Sequence, residues 1–212
     1  MHTMQYPLTL DQAVQRARAL VARGPRTIVG IVGPPGAGKS TLSEQLCHAF
    51  PNVAQVVPMD GFHLANVELQ RLGRAQRKGA PDTFDSAGYV SLLQRLRQQT
   101  APETVYAPEF RREIEEPIAG AIPIEASTKL LIAEGNYLLL EQHGWGAVGQ
   151  HLDEVWYVDV APALRLERLV ARHMQFGRSR QEAVDWVAST DEPNARLIEA
   201  TRHRAQAIVA LD

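Results

Sequence analysis

Apolar residues recur along this chain in two alternating rhythms. Leu10, Val14, Ala17 and Val21 fall at helical spacing within residues 9–23, and Gly24-Pro25 ends the run. Residues 27–32 are then a β-branched stretch without polar interruption, the pattern of a strand covered on both faces. A Gly-rich turn leads into helical periodicity over 40–50, which Pro51 stops, and 54–59 predicts a second short strand. Residues 60–85 have few apolar anchors and many glycines and basic residues, the mark of a long loop or a short helical lid. Ser86 offers an N-cap for a helix to Gln99 that turns Tyr89, Leu92, Leu93 and Leu96 inward. Residues 106–123, broken by prolines and glycines, read as an irregular excursion or hairpin. Strands are predicted at 129–133 and 154–160, helices at 162–174, 180–188 and 193–203, and a last strand at 208–211.

Strands alternating with helices predict an α/β fold, with about five parallel strands and helices on both faces. The 212 residues are expected to form one domain, since roughly 150 residues per domain is the usual prior. Within it, 1–25 is an N-terminal helix, 60–124 holds an excursion and 162–190 is a further helical region. Lys plus Arg is 22 and Asp plus Glu is 24, so the charge is 22 − 24 = −2. That balance argues against a nucleic-acid partner, which needs clustered positive charge. The single cysteine, Cys47, has no partner for an internal disulfide, no cysteine cluster exists for zinc, and its neighbours predict a small buried residue. No apolar stretch approaches the ~20 residues of a membrane span, so no membrane insertion is expected. With no basic-then-apolar leader, the expected compartment is cytoplasmic.

The strongest local signal is Gly33-Pro34-Pro35-Gly36-Ala37-Gly38-Lys39-Ser40-Thr41, a G-x-x-x-x-G-K-[ST] between a predicted buried strand and a helix. Glycines let successive backbone N–H groups wrap phosphate oxygens, and the following helix adds its positive dipole end. Lys39 is placed to reach the outer phosphates and Ser40 to hold Mg²⁺. A guanine-reading Asn-Lys-x-Asp is absent, as is a transporter-type LSGGQ. Asp85-Ser-Ala-Gly88 spells D-x-x-G, yet no apolar strand delivers it, which favours an Asx or N-cap role.

Two acids follow strands. Asp60 comes directly after the second strand, where it could take a hydroxyl proton or hold the metal through water. Glu134 ends the apolar run Leu130-Leu-Ile-Ala133 and fits a role in orienting Mg²⁺ or its waters. Arg165, Arg168 and Arg172 share a helix face at i, i+3 and i+7. Seven histidines show no ligand-like spacing.

With these residues in place, the sequence resembles the phosphoribulokinase/uridine kinase family of P-loop kinases. Within it, the chain is most similar to bacterial pantothenate-kinase-like proteins known as fructose transport system kinases. The matching stretches are the phosphate loop, Met59-Asp-Gly-Phe-His63, Arg77-Lys-Gly-Ala-Pro-Asp-Thr-Phe-Asp85, Tyr106-Ala-Pro-Glu-Phe-Arg111, Glu134-Gly-Asn-Tyr-Leu138 and Asp191-Glu-Pro-Asn194. The resemblance implies a P-loop kinase fold, transfer of the ATP γ-phosphate to a metabolite hydroxyl, and Asp60 as the base. It raises the standing of His63, Arg77, Lys78 and Asp82 as acceptor contacts against a merely solvated loop. Tyr106, Phe110 and Arg111 form a second candidate acceptor wall, with Arg112 read as exposed. The Arg165–Arg172 helix resembles the kinase lid, with Arg168 and Arg172 favoured for charge neutralisation. Asn194 resembles a residue that approaches adenine, in competition with a helix-capping role for Asp191 and Asn194.

The acceptor stays open between a sugar, a nucleoside and a pantothenate-like amide. The competing class is an ATP-binding regulator or accessory protein of a sugar transporter without metabolite kinase activity. A small-molecule hydroxyl acceptor is the expected partner; oligomeric state is unset, and a homodimer is compatible.

Overall fold

A computed structural model describes residues 7–211. Its strands are β1 (Thr27–Val32), β2 (Ala54–Pro58), β3 (Thr104–Arg111), β4 (Glu116–Glu125), β5 (Leu130–Gly135), β6 (Glu154–Asp159) and β7 (Ala207–Ala210). Five of them form a parallel sheet in the order β2-β5-β1-β6-β7. Every residue of β1 is buried, because the strand is central and both of its faces are covered. Ile28 and Val32 pack into one core with Tyr89, Leu93 and Trp145, while Val29 and Ile31 pack into the other with Ala17 and Leu42. One apolar run therefore serves two cores, as the period of two requires.

The helices are α1 (Leu10–Val21), α2 (Lys39–Ala49), α3 (Asn66–Arg71), α4 (Ser86–Gln98), α5 (Pro162–Gln175), α6 (Arg180–Trp186) and α7 (Glu192–Glu199). Thr9 and Gln12 close a capping box that starts α1. Its most buried residues are Ala13, Ala17 and Leu20, with Leu10, Val14 and Val21 at the edge, so the inward face is rotated from the expected one. The N-cap of α4 is Asp85, whose Oδ1 accepts from Gly88 N at 2.8 Å. Ser86, expected in that position, is the first helical residue and donates instead to His143 O at 2.8 Å. Cys47 is half-buried at the edge of a core rather than enclosed. A π-helical turn, Val187–Asp191, joins α6 to α7 where a break was expected.

The excursion is an antiparallel hairpin of β3 and β4, longer than anticipated. Its register shifts between Ala107 and Glu109, at Pro108, which has no N–H for the ladder. The hairpin packs on a 3₁₀ turn, Met59–Phe62, that ends β2. Gly61 makes that contact possible: a Cβ there would lie 2.3 Å from Pro108 O. The segment expected as a loop or lid is a string of short helices, α3 and 3₁₀ turns at Ala75–Arg77 and Pro81–Thr83. Tyr137 donates its hydroxyl to Gly79 O, and Trp145 Nε1 donates to Pro81 O at 3.0 Å, pinning this string to the sheet's carboxyl edge.

Candidate active site

The loop from β1 to α2 is shaped for an anion. Gly36 (φ 81°) and Gly38 (φ 94°) occupy the left-handed region that only glycine enters without strain. Gly38 caps α2 without a side-chain hydrogen bond, so the first N–H groups of that helix are left for a ligand. Gly36 is also a close approach: a Cβ there would meet Leu169 Cγ at 2.8 Å and Arg165 O at 2.9 Å. Helix α5 thus rides directly on the loop. Lys39 Nζ donates to Gly33 O at 3.0 Å and Pro34 O at 3.2 Å. Burial lowers its pKa to about 8, against the upward pull of Glu134 and Asp60.

Ser40 Oγ donates to Glu134 Oε1 at 2.7 Å. Strand register explains the neighbouring acid: Pro58 pairs with Glu134 across β2 and β5, and Asp60 lies two residues beyond Pro58. Arg112 Nη2 sits 3.7 Å from Asp60 Oδ2. His63 Nδ1 donates to Asp60 O at 2.7 Å, and burial holds the imidazole pKa below its usual value.

These groups border a cavity of about 680 Å³ that runs from the phosphate loop to the hairpin tip. That volume suits a small ligand. The His63 ring packs between Phe84 (centroids 4.0 Å apart) and Phe110 (4.5 Å) on one wall. Lys78 lies over Phe110 at 5.2 Å and donates to Asn66 Oδ1 at 2.7 Å. On the opposite wall, the side chains of Arg168 and Arg172 project from α5 without a hydrogen bond or ion pair to another described residue. Burial, reinforced by Arg112, lowers the pKa of Arg172, the expected consequence of gathering cations around an anion site.

A second, smaller recess of about 340 Å³ lies across the phosphate loop, bounded by Leu8, Leu10, Gly38, Thr41, Arg168 and Leu211. Arg168 is shared by both.

A parallel sheet whose central strand opens into such a loop, with acids on the two strand ends beside it, is kinase architecture, and the sequence comparison is specific. The profile of the phosphoribulokinase/uridine kinase family matches residues 28–211. The chain belongs to this family. It is similar to a protein of Silicibacter sp. TM1040, provisionally named a fructose transport system kinase: 37% identity, a TM-score of 0.84, and coverage of 97% of this chain and 100% of that one. It is 32% identical over 200 residues to a provisionally named uridine kinase of Schizosaccharomyces pombe, covering 89% of this chain and 85% of the relative. Identity to the Escherichia coli K12 protein YggC is 35% over 191 residues, with 88% and 78% coverage. As a member of the phosphoribulokinase/uridine kinase family, the chain is an ATP-dependent P-loop kinase.

For this family member, the structure distributes the candidate residues unevenly. Lys39, Ser40, Thr41, Asp60, His63, Lys78, Phe110, Glu134, Arg168, Arg172 and Asn194 all reach the large cavity, as do Pro35, Gly36 and Gly38. Gly33, Pro34 and Ala37 are the buried underside of the loop. Arg77 and Asp82 stand away from the cavity, bonded to each other through Nη2 and Oδ2 at 2.6 Å. Tyr106 is exposed on the outer hairpin face, and Arg111 turns toward Glu109 at 3.5 Å. Arg112, read as exposed, is the hairpin arginine at the cavity. Arg165 is buried in an ion pair with Glu192. Asp191 holds the N-cap position of α7 without a side-chain cap hydrogen bond; its Oδ2 takes His173 Nε2 at 2.7 Å. His173, Arg178 and Trp186 line the cavity too, and no motif flagged them. The arginine spacing ends at Arg172, directly before His173, and does not reach Arg178 or Trp186.

Proposed function

We propose that this kinase transfers the γ-phosphate of ATP to a hydroxyl of a small metabolite, with Asp60 as the base. The observation that carries the reading is the placement of Asp60 and Glu134 on adjacent strand ends, opening with Lys39 into one cavity. A nucleotide sensor needs the phosphate loop; it has no need of a second acid facing a separate acceptor wall.

Ser40 and Glu134 offer hard oxygen donors already 2.7 Å apart, which suits Mg²⁺ completed by phosphate oxygens and water. Asp60 would add a contact through water. A metal held by these groups would supply positive charge against the phosphates. Asp60 accepts the hydroxyl proton as the new O–P bond forms and the bond to the ADP oxygen breaks. Arg112, 3.7 Å from its carboxylate, helps hold Asp60 in place. Lys39, Arg168 and Arg172 face the transferring group, and lid cations of this kind contribute roughly 10³–10⁵ in rate. We assign the small recess beside Arg168 to the nucleotide base, while Asn194 lines the large cavity that also holds the phosphate loop.

A coupled ADP-release screen with Mg·ATP against sugars, nucleosides and vitamin precursors tests the reading. Stimulation by a hydroxylated metabolite supports it. Tight ATP binding with no stimulation across the panel would favour the accessory-protein alternative.

A further inference from the structure

The cations of the large cavity divide by what already faces them. Lys39, Arg168 and Arg172 border the phosphate loop, and Arg112 has Asp60. Lys78 has Glu115 and Glu116 as acidic neighbours. Arg178 has Glu182 as an acidic neighbour, but that carboxylate accepts from Ser179 instead. Its guanidinium carbon sits 3.7 Å from the centroid of the Trp186 ring, close enough for stacking, and both residues line the cavity. Among the described residues the Arg178 side chain makes no hydrogen bond or ion pair, while its backbone N donates to His173 O at 3.2 Å.

Nearby acids are engaged elsewhere. Glu182 caps α6, accepting from Ser179 N at 2.8 Å and Ser179 Oγ at 2.7 Å. Asp191 holds His173 at 2.7 Å, and Asp185 Oδ1 accepts from Gln181 at 3.0 Å. His173 in turn packs edge-on against Trp186, with centroids 6.5 Å apart. The wall is therefore braced: Asp191 orients His173, His173 supports Trp186, and Trp186 seats Arg178. A stacked guanidinium keeps its in-plane N–H edge free, and that edge matches a carboxylate or phosphate in two-point fashion. A neutral ligand filling this lobe would desolvate the cation without an opposite charge, which is unfavourable.

We propose that Arg178, seated on Trp186, is the anion-reading residue of the acceptor subsite, so that the metabolite phosphorylated carries a carboxylate or phosphate besides its hydroxyl. This rests on the kinase reading above and narrows it to hydroxy acids and phosphorylated sugars.

The test uses matched pairs: glycerol with glycerate, ribose with ribose 5-phosphate, and fructose with fructose 6-phosphate. Each is measured for ADP release with Mg·ATP and for calorimetric binding with Mg·ADP. The charged member of at least one pair should exceed its neutral partner by about tenfold or more in kcat/KM. Glycerate against the sugar phosphates tells carboxylate from phosphate. Arg178→Gln should raise that acceptor's KM by about ten- to hundredfold while leaving KM for ATP within about twofold, and Arg178→Lys should recover only part of the loss. Neutral members turned over as well as charged ones would overturn the proposal. So would a Arg178→Gln defect that falls on ATP, or the absence of binding and turnover for every charged compound. Selective binding of charged members without ADP release would instead break the kinase reading and leave the anion site standing.

Discussion

The donor and acceptor halves of the cavity are built in opposite ways. The donor half is one continuous stretch: β1 is buried on both faces, the loop closes over Lys39, and α2 begins at Gly38 with its N–H groups free. The acceptor half is pieced together from the turn after β2, the Lys78 turn, the hairpin and the α5–α7 lid. Phosphate binding needs backbone amides in a rigid array, which local geometry supplies. Acceptor recognition needs side chains of chosen chemistry, and those arrive from distant segments held by contacts such as Gly61 against Pro108. A change in the acceptor half should therefore alter what is phosphorylated while leaving nucleotide binding intact.

Asp60→Asn gives the sharpest separation. It keeps shape and removes the base, so kcat should fall by about 10²–10⁴ with ATP affinity little changed; turnover near the parent value would remove Asp60 from the chemistry. Gly61→Ala tests whether the hairpin positions that base. The added Cβ meets Pro108 O at 2.3 Å, so the turn or the hairpin must move, and a displacement near 1 Å costs on the order of 10² in kcat. Unaltered kcat would show the two segments to be uncoupled. Lys39→Ala strikes the other half: ATP affinity should drop by about ten- to hundredfold in equilibrium binding. An unchanged ATP dissociation constant would contradict the phosphate-cradle assignment.

The smallest effect is a pH dependence confined to the donor half. Lys39 has a pKa of about 8 in the free protein, and bound phosphate raises it by favouring the ammonium. Below pH 8 the group is already charged and ATP affinity should be flat. Above pH 8 binding must take up a proton, so affinity falls by up to about tenfold per pH unit until the bound-state value is passed. Titrations of Mg-free ATP from pH 7 to 9.5 check this, with Lys39→Ala expected to flatten the slope.

The same contrast explains what could be read from residues alone. The parallel α/β sheet, the strand–loop–helix cradle and the strand-end acids follow from neighbours in the chain, where period and turn chemistry act. The hairpin shows where such reading stops. Along β3, Val105 and Ala107 point into the core and Tyr106 points out, but the register shift at Pro108 resets which side chains turn inward beyond it. Phe110 and Arg112 therefore reach the cavity while Arg111 does not. The family resemblance raised Arg77 and Asp82 as substrate contacts, yet their side chains satisfy one another. His173, Arg178 and Trp186 became neighbours because α6 folds back on α5, and the π-helical turn after α6 carries Asp191 to His173.

By itself, then, the sequence determined the sheet, the phosphate loop and the kinase family, since each depends on spacings of a few residues and on backbone geometry that glycine and β-branched runs dictate. Only the tertiary structure decided which charged side chains are spent on each other and which face the ligand. That division is a property of packing between remote segments, where a one-residue shift in register or an added helical turn reverses the answer.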